Sequence, residues 1–594
     1  MCGIIACLGH NASPYIINGL KQLQNRGYDS AGLSLIHEDN WIVHKYVSDH
    51  SIEYLENIKY PMSINGIGHT RWATHGPKTI ENSHPHKSYH NTFMVVHNGI
   101  IENYKLLKNF LIEKNYVFYS QTDTEVIANL LDYYYGYTHN VMDSIEKTIQ
   151  SMEGTWGLCI QVLNEPNRLY CVRHGSPLLI GNGGNFSLVS SEYSGFCGKI
   201  NKYIELDSND ISRLEYINNE ITLITKQHYI LRDIPLEMFT ESCSPYIHWT
   251  QKEIYEQSLT IWNVTNHGSR YRKDGTIVLG GLDKDQLSNI EHIILLGCGT
   301  SYFSACIGSK YMKKWCQFTS VQAIDASEFT KKDIPKKGKC AFLMVSQSGE
   351  TKDLQKCIEM IEGHITIGVI NKVDSVIARE VNCGCYLNAG REVGVASTKS
   401  FSSQVTLLSM ISLWFSQLQL GLQSYHSKII QDLIRLARDI EETLNINMTH
   451  YVGLFHQHCF ILGKDIDEYT AKEAALKIKE LSYIHAEGYS SSSLKHGPFA
   501  LLEENFPVIL IAPRDKVWNK NENIYQELKT RGATILTITN EVLERENTIV
   551  VSKNKTYQCI LNMIPLQKLA YELAISRRYN PDKPRNLAKV VTVE

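Results

Sequence analysis

The chain has no Cys-x-x-Cys pair, no apolar run long enough to cross a membrane, no block of basic residues and no low-complexity tract. Each absence removes a class of protein. The fifteen cysteines are an odd, scattered set with only Cys383 and Cys385 close together, which fits reduced cytoplasmic thiols better than a disulfide framework or a structural zinc site. The most apolar run, Val405 to Phe415, is about half the length of a membrane span and carries Ser409 and Ser412, so a buried helix is expected there. The apolar start of the chain lacks a cationic segment before it, and no signal peptide is expected. A net charge of −3 with both signs interspersed argues against nucleic-acid binding and against a polybasic membrane anchor. What remains is an ordinary globular composition, 43% hydrophobic and 20% charged, in 594 residues, which is too long for one core and calls for two or three units.

Up to about residue 230 the chain is rich in short β-type runs such as Phe93 to His97, Thr155 to Val162 and Leu188 to Ser190, with a helical pattern at Thr124 to Tyr135. This predicts an α+β domain over 2–230. Residues 231–280, with Pro235 and Pro245, read as a linker and helical lead-in. Beyond about residue 285 strand, turn and helix alternate, which predicts parallel sheets covered by helices. The pattern also repeats at an offset of roughly 165 residues. Ile293 to Gly297 corresponds to Phe460 to Gly463, Phe342 to Val345 to Pro507 to Ile511, Ile365 to Val369 to Thr534 to Ile538, and Gly384 to Leu387 to Thr548 to Val551. Two α/β flavodoxin-like subdomains are therefore expected at 281–425 and 450–580, followed by a tail at 581–594.

Cys2 follows the initiator Met1, so removal of Met1 would leave a thiol beside its own α-amine, a nucleophile and a base in one residue. Alone this means little. It is followed by Asn25-Arg26-Gly27-Tyr28-Asp29-Ser30-Ala31-Gly32, His69-Thr70-Arg71-Trp72-Ala73-Thr74-His75-Gly76, His84-Pro85-His86, Val96-His97-Asn98-Gly99-Ile100 and Thr122-Asp123-Thr124-Glu125. Together these strings resemble the glutaminase domain of the N-terminal-nucleophile (class II) glutamine amidotransferases, whose fold is an αββα sandwich. The resemblance makes Arg71 the clamp for the carboxylate of L-glutamine and Asp123 the partner of its ammonium. Asn98 and the Gly99 backbone N–H become the oxyanion hole. Trp72, Thr74 and His75 line the pocket, with Trp72 helping to close it, and His84 lies in a mobile rim. Each feature has a plainer reading: Arg71 as a surface charge, Trp72 as core, Asn98-Gly99 as a two-residue hairpin turn, His84 and His86 as metal ligands. Their order along the chain favours the glutaminase.

In the second half, Gly297-Cys298-Gly299-Thr300-Ser301 follows a strand and opens a helix, as an anion site does. A dinucleotide fingerprint would share Gly297 and Gly299 but meets Tyr302 at its third glycine. Ser346-Gln347-Ser348-Gly349-Glu350-Thr351 again joins strand to helix, with hydroxyls, an amide and backbone N–H groups suited to a phosphate monoester. Both strings, with Gly394-Val395-Ala396-Ser397-Thr398-Lys399, resemble sugar isomerase (SIS) domains. Cys298, Gly299, Thr300, Ser301, Ser346, Gln347, Ser348, Thr351, Val395 and Ser397 are the sugar-phosphate candidates.

Taken with the first half, the chain resembles the isomerising glutamine–fructose-6-phosphate aminotransferase family from residue 2 to the tail. That resemblance implies amination of D-fructose 6-phosphate and ketose-to-aldose isomerisation, without metal or organic cofactor. Lys589 is then the amine that engages the C2 carbonyl and Glu480 the base between C1 and C2. Lys477, three residues before Glu480 on a helical pattern from Thr470 to Glu487, stabilises an enolate-like oxygen. His496 opens the sugar ring from a neighbouring subunit of a homodimer. Ser492-Ser493, where the family commonly has glycine–glutamate, and the segment Arg578 to Lys583 depart from the pattern. Other class II amidotransferases are disfavoured because neither an SGG-type pyrophosphatase loop nor a paired-acid phosphoribosyl motif is present. A sugar-phosphate sensor with a vestigial glutaminase would have no use for Cys2 and Glu480 together. A different ketose phosphate as acceptor stays open.

Overall fold

In the strand Gly3–Leu8 every residue is buried, and alternation sorts them between two cores. Successive side chains of a strand leave opposite faces. Ile4, Ala6 and Leu8 share one cluster with Met94 and Val96, whereas Ile5 and Cys7 pack with Ala12, Ile16 and Leu20 of the helix Ala12–Leu23. The strand Phe93–Ile101 repeats the arrangement, with Met94 and Val96 in the shared cluster and Phe93 and Val95 against Val126, Ile127 and Leu130 of the helix Asp123–Thr138. Two antiparallel sheets of eight and six strands are thus stacked face to face between helical layers, the αββα sandwich.

The computed structural model describes residues 2–24, 27, 29–48, 50–71, 77–234, 242–373 and 375–590. These group into two units, Met1–Thr240 with Ala588–Val593, and Glu241–Leu587 with Glu594. The first sheet runs past residue 230 because its edge strand Arg232–Asp233 pairs with Lys202 and Tyr203.

Asn98-Gly99 is not a hairpin turn. Both residues lie inside the strand Phe93–Ile101, with Asn98 opposite Gly157 and Gly99 opposite Trp156. Gly99 has φ +136°, and a Cβ there would stand 2.0 Å from the Thr155 carbonyl oxygen, so the close approach of two strands requires the glycine.

The second unit holds two parallel five-stranded sheets of the same strand order. One runs Ser320–Asp325, His292–Gly297, Cys340–Ser346, Ile365–Ile370, Cys383–Tyr386. The other runs His485–Ser490, His458–Gly463, Pro507–Ile511, Thr534–Thr539, Thr548–Val550. The flavodoxin-like duplication therefore extends to a fifth strand pair, Ser320–Asp325 with His485–Ser490, which the sequence pattern does not reveal. Leu295 and Leu343 of one half join Ile461 and Ile509 of the other in one cluster that includes the helices Lys399–Leu420 and Gln558–Ser576. Val405 to Phe415 is a fully buried stretch of the first of these helices, as its hydroxyl-interrupted apolar run suggests. No described helix is long and apolar enough to cross a membrane.

The helix expected from Thr470 to Glu487 is Asp467–Ser482 and stops earlier. Tyr483, at φ 58°, takes the left-handed position that usually carries glycine, and His485–Ser490 then pairs in parallel with His458–Gly463. A non-glycine cap and a long-range pairing hide that boundary from the sequence.

Candidate active sites

Cys2 immediately precedes the central strand Gly3–Leu8 of the eight-stranded sheet, and Arg71 ends the antiparallel neighbour Asn65–Arg71, with Gly3 opposite Thr70. Cys2 is half-buried, and Arg71 is 3% exposed. Burial pulls the Arg71 guanidinium below its ordinary range, opposed by the negative groups of Cys2, Asp29 and Asp123 around it. Asp29 is in turn paired with Lys78 at 2.5 Å. Asp123 opens the helix Asp123–Thr138, which Thr122 caps by accepting from the Glu125 N–H. Asp123 Oδ2 accepts from the Ile101 N–H at 2.9 Å, a direct tie between the helix start and the strand that carries Asn98 and Gly99. Asn98 Nδ2 donates to the Cys2 carbonyl at 2.9 Å. The thiol, a guanidinium, a carboxylate and an amide donor are thereby gathered where two sheets meet, the set a zwitterionic amide substrate requires.

His84 is 5% exposed, and its ring stacks on that of His69 with centroids 3.9 Å apart. It accepts from the His97 backbone N–H through Nδ1. Burial pushes the His84 and His86 imidazoles well below their ordinary range, helped by neighbouring rings and Arg71 at His84 and by Lys45 and Arg71 at His86. Trp72, Thr74 and His75 lie outside the described residues. Among the described residues no group of His, Cys, Asp and Glu converges as a metal site.

The second site is built around a helix face. Lys477, on Asp467–Ser482, is 1% exposed and lies 2.5 Å from Glu480 Oε2 and 3.5 Å from Glu473 Oε1. Its Nζ donates to Thr300 Oγ1 at 3.0 Å, and that hydroxyl donates to Glu473 Oε1 at 3.0 Å. A surface ion pair is thus excluded for Lys477. Burial works against the ammonium, but Glu473 and Glu480 together outweigh it and raise the lysine above its ordinary range. Glu473 is fully buried, and desolvation pushes its carboxyl up to about 8, with Glu480 adding to the rise and Lys477 opposing it. Sequence reasoning missed Glu473, although its place four residues before Lys477 is the favoured Glu-to-Lys helical spacing.

Thr300 starts the helix Thr300–Trp315 behind Gly299, whose φ of 53° turns the chain between strand and helix. Ser301 Oγ accepts from Gln404 Nε2 at 2.9 Å. Cys298 remains a thiol, since burial and then Asp325 and Asp353 push it up to about 12. In the second turn Ser346 Oγ accepts from the Gly349 N–H at 2.9 Å and lies 3.3 Å from Thr351 Oγ1, while Ser348 Oγ accepts from the Glu350 N–H at 3.1 Å. Gln347 sits between them. Glu350 is buried against Lys372 at 2.5 Å, a pair the motif did not disclose. Both turns lie at the C-terminal ends of adjacent parallel strands, where open α/β sheets place their ligands. Val395 is buried and its N–H reaches the Asp582 carbonyl, whereas Ser397 is half-buried just before the helix Lys399–Leu420. His496 is exposed at the end of the short 3₁₀ helix Ser491–His496. Lys589 groups with the first unit.

This architecture defines a class: an N-terminal-nucleophile glutamine amidotransferase domain followed by two SIS domains. Residues 69–197 match the glutamine amidotransferase domain family, and residues 286–413 and 456–577 match the SIS domain family. The chain is 42% identical to the probable glutamine–fructose-6-phosphate aminotransferase (isomerising) of Acanthamoeba polyphaga mimivirus, covering all of both chains. It is 35% identical to the glutamine–fructose-6-phosphate aminotransferase (isomerising) of Aquifex aeolicus, again covering all of both. Among solved structures, the C-terminal domain of glucosamine-fructose-6-phosphate aminotransferase from Francisella tularensis is 28% identical with a TM-score of 0.54, and covers 58% of this chain and all of that one. The chain belongs to the family of isomerising glutamine–fructose-6-phosphate aminotransferases.

Proposed function

We propose that the protein transfers the amide nitrogen of L-glutamine to D-fructose 6-phosphate, giving D-glucosamine 6-phosphate and L-glutamate. Arg71 and Asp123 hold the two charged ends of glutamine. The Cys2 thiol, with its α-amine as base, attacks the amide, and Asn98 with the Gly99 N–H takes the developing oxyanion. Water releases glutamate, and the ammonia passes to the second reaction. There the turns around Thr300 and Ser346 to Thr351 hold the phosphate, Lys589 engages C2, and Glu480 carries a proton between C1 and C2 beside Lys477. The observation that carries the reading is the buried Lys477, which joins Glu480 to Thr300 of the first anion-type turn. A surface pair would have no such tie.

The test is a paired product assay with glutamine and fructose 6-phosphate, on wild type and on Cys2→Ala, after mass spectrometry has shown Met1 to be removed. Equal glutamate and glucosamine 6-phosphate from wild type, and neither from the variant, is the expected result. Glutamate without amino sugar would point to another acceptor, and neither product would point to a sensor. The exposed His496 supports a homodimer in which it completes the neighbour's sugar site; a strictly monomeric, fully active enzyme in sedimentation would overturn this. Among the described residues no disulfide joins any of the fifteen cysteines, which supports a cytoplasmic location.

A further inference from the structure

Asn98 can serve an oxyanion only if its amide presents nitrogen, not oxygen, toward Cys2. The two ends of an amide have the same shape, so the choice rests on what each end bonds. At the far end stands His69. Its Nε2 is 3.1 Å from Asn98 Oδ1 and 3.0 Å from the His97 carbonyl oxygen. A carbonyl oxygen only accepts, so His69 Nε2 carries a hydrogen and shares it between two acceptors. Given that donor, Asn98 Oδ1 faces His69, and Nδ2 is turned to the Cys2 carbonyl at 2.9 Å with its second N–H in reserve.

The ring is built for one tautomer. His69 is fully buried, and burial drives its imidazole down to about 3, so it is neutral at any working pH and its Nδ1 bears only a lone pair. Among the described residues that Nδ1 has no hydrogen-bond partner. A buried nitrogen left unsatisfied is a cost that a merely space-filling side chain would not incur. The plane of the ring is fixed by His84, stacked at 3.9 Å and 9°. His84 is in turn held by the His97 N–H at 3.3 Å and by Thr124 Oγ1 at 3.5 Å. A chain of contacts thus runs from Thr124, one residue after Asp123, through His84 and His69 to Asn98.

We infer that His69 is a positioning residue for glutamine hydrolysis: its Nε2–H locks the Asn98 amide with nitrogen toward the Cys2 oxyanion, and His84 supports it from behind. This rests on the oxyanion role of Asn98 proposed above and removes His84 from direct contact with glutamine.

The experiment measures glutamate release from glutamine by the full-length enzyme carrying His69→Phe, His69→Gln, Asn98→Ala or His69→Phe with Asn98→Ala. Phe keeps a stacking ring without the donor, and Gln returns an N–H near the position of Nε2. Losing one oxyanion donor costs roughly 10²–10³ in kcat, and a misdirected one is expected to cost about 10- to 100-fold with the glutamine KM within about threefold. His69→Gln is expected within about fivefold of wild type, and His69→Phe should add nothing on the Asn98→Ala background. If Asn98→Ala is not slowed, the oxyanion reading itself fails. If Asn98→Ala is slow but His69→Phe is not, or if His69→Phe slows both backgrounds equally, the positioning role is overturned and the oxyanion reading stands. Should His69→Phe not fold, His69→Gln decides: near wild-type turnover supports the role, and a folded protein as slow as Asn98→Ala overturns it.

Discussion

The histidine cluster beside Asn98 and the Lys477 cluster of the second site remove ionisable groups from water in opposite ways. Around Asn98, His69, His84 and His86 are all buried, and burial holds each imidazole below its ordinary range, so the rings act as neutral, directional hydrogen-bonding parts. Around Lys477 the charge is retained: Glu473 and Glu480 lie on the same helix face and outweigh the desolvation of the ammonium. The contrast follows from chemistry. An oxyanion hole needs fixed N–H directions, which neutral rings supply without the cost of burying a charge. A proton shuttle between sugar carbons needs a base beside a cation, so the second site tolerates a buried ion cluster.

The largest expected effect tests the charged half of this contrast. Lys477→Met leaves the Glu480 carboxylate and the buried Glu473 without the cation both contact, and loss of one partner from a buried pair costs about 3–5 kcal/mol. Thermal unfolding at pH 7 should therefore fall by several degrees. Asn98→Ala, which removes a neutral amide at 5% exposure, should cost about 1 kcal/mol while abolishing most glutaminase turnover. Equal stability losses from the two substitutions would erase the distinction between the sites.

How much of this was legible in the sequence depended on the range of the interaction. Strand alternation at Phe93 to His97, the duplicated strand–turn–helix texture and the three-residue spacing of Lys477 and Glu480 are local signals, and each appears in the fold. The fifth strand pair, the stop at Tyr483 and the position of Asn98-Gly99 inside a strand depend on neighbours far along the chain. Glu473 had a local signal but completes its cluster through Thr300, 173 residues away. His69 opens the motif that runs to Gly76, yet its hydrogen bond is to Asn98 on the other sheet.

The last predicted effect separates the sites by the sign of a pH slope. The Glu473 carboxyl is raised from the ordinary 4.5 to about 8 in the folded protein. Between those values the folded chain holds a proton that the unfolded chain has released, so this group's contribution is complete below about pH 4.5 and is lost as pH rises through about 8. Glu473→Gln keeps an acceptor for the Thr300 hydroxyl and mimics the protonated acid. Its stability relative to wild type should therefore rise with pH across this window, by no more than about 1.4 kcal/mol per pH unit. His69 runs the other way. Its imidazole is lowered from 6.5 to about 3, so the unfolded chain gains the proton first and stability is lost as pH falls through that range. His69→Gln should gain on wild type toward acid pH. Melting curves for both variants against wild type, from pH 5 to 9, should give difference plots of opposite slope. A flat plot for Glu473→Gln would mean that Lys477 keeps that carboxylate ionised in the fold, and the second site would then bury a net negative charge.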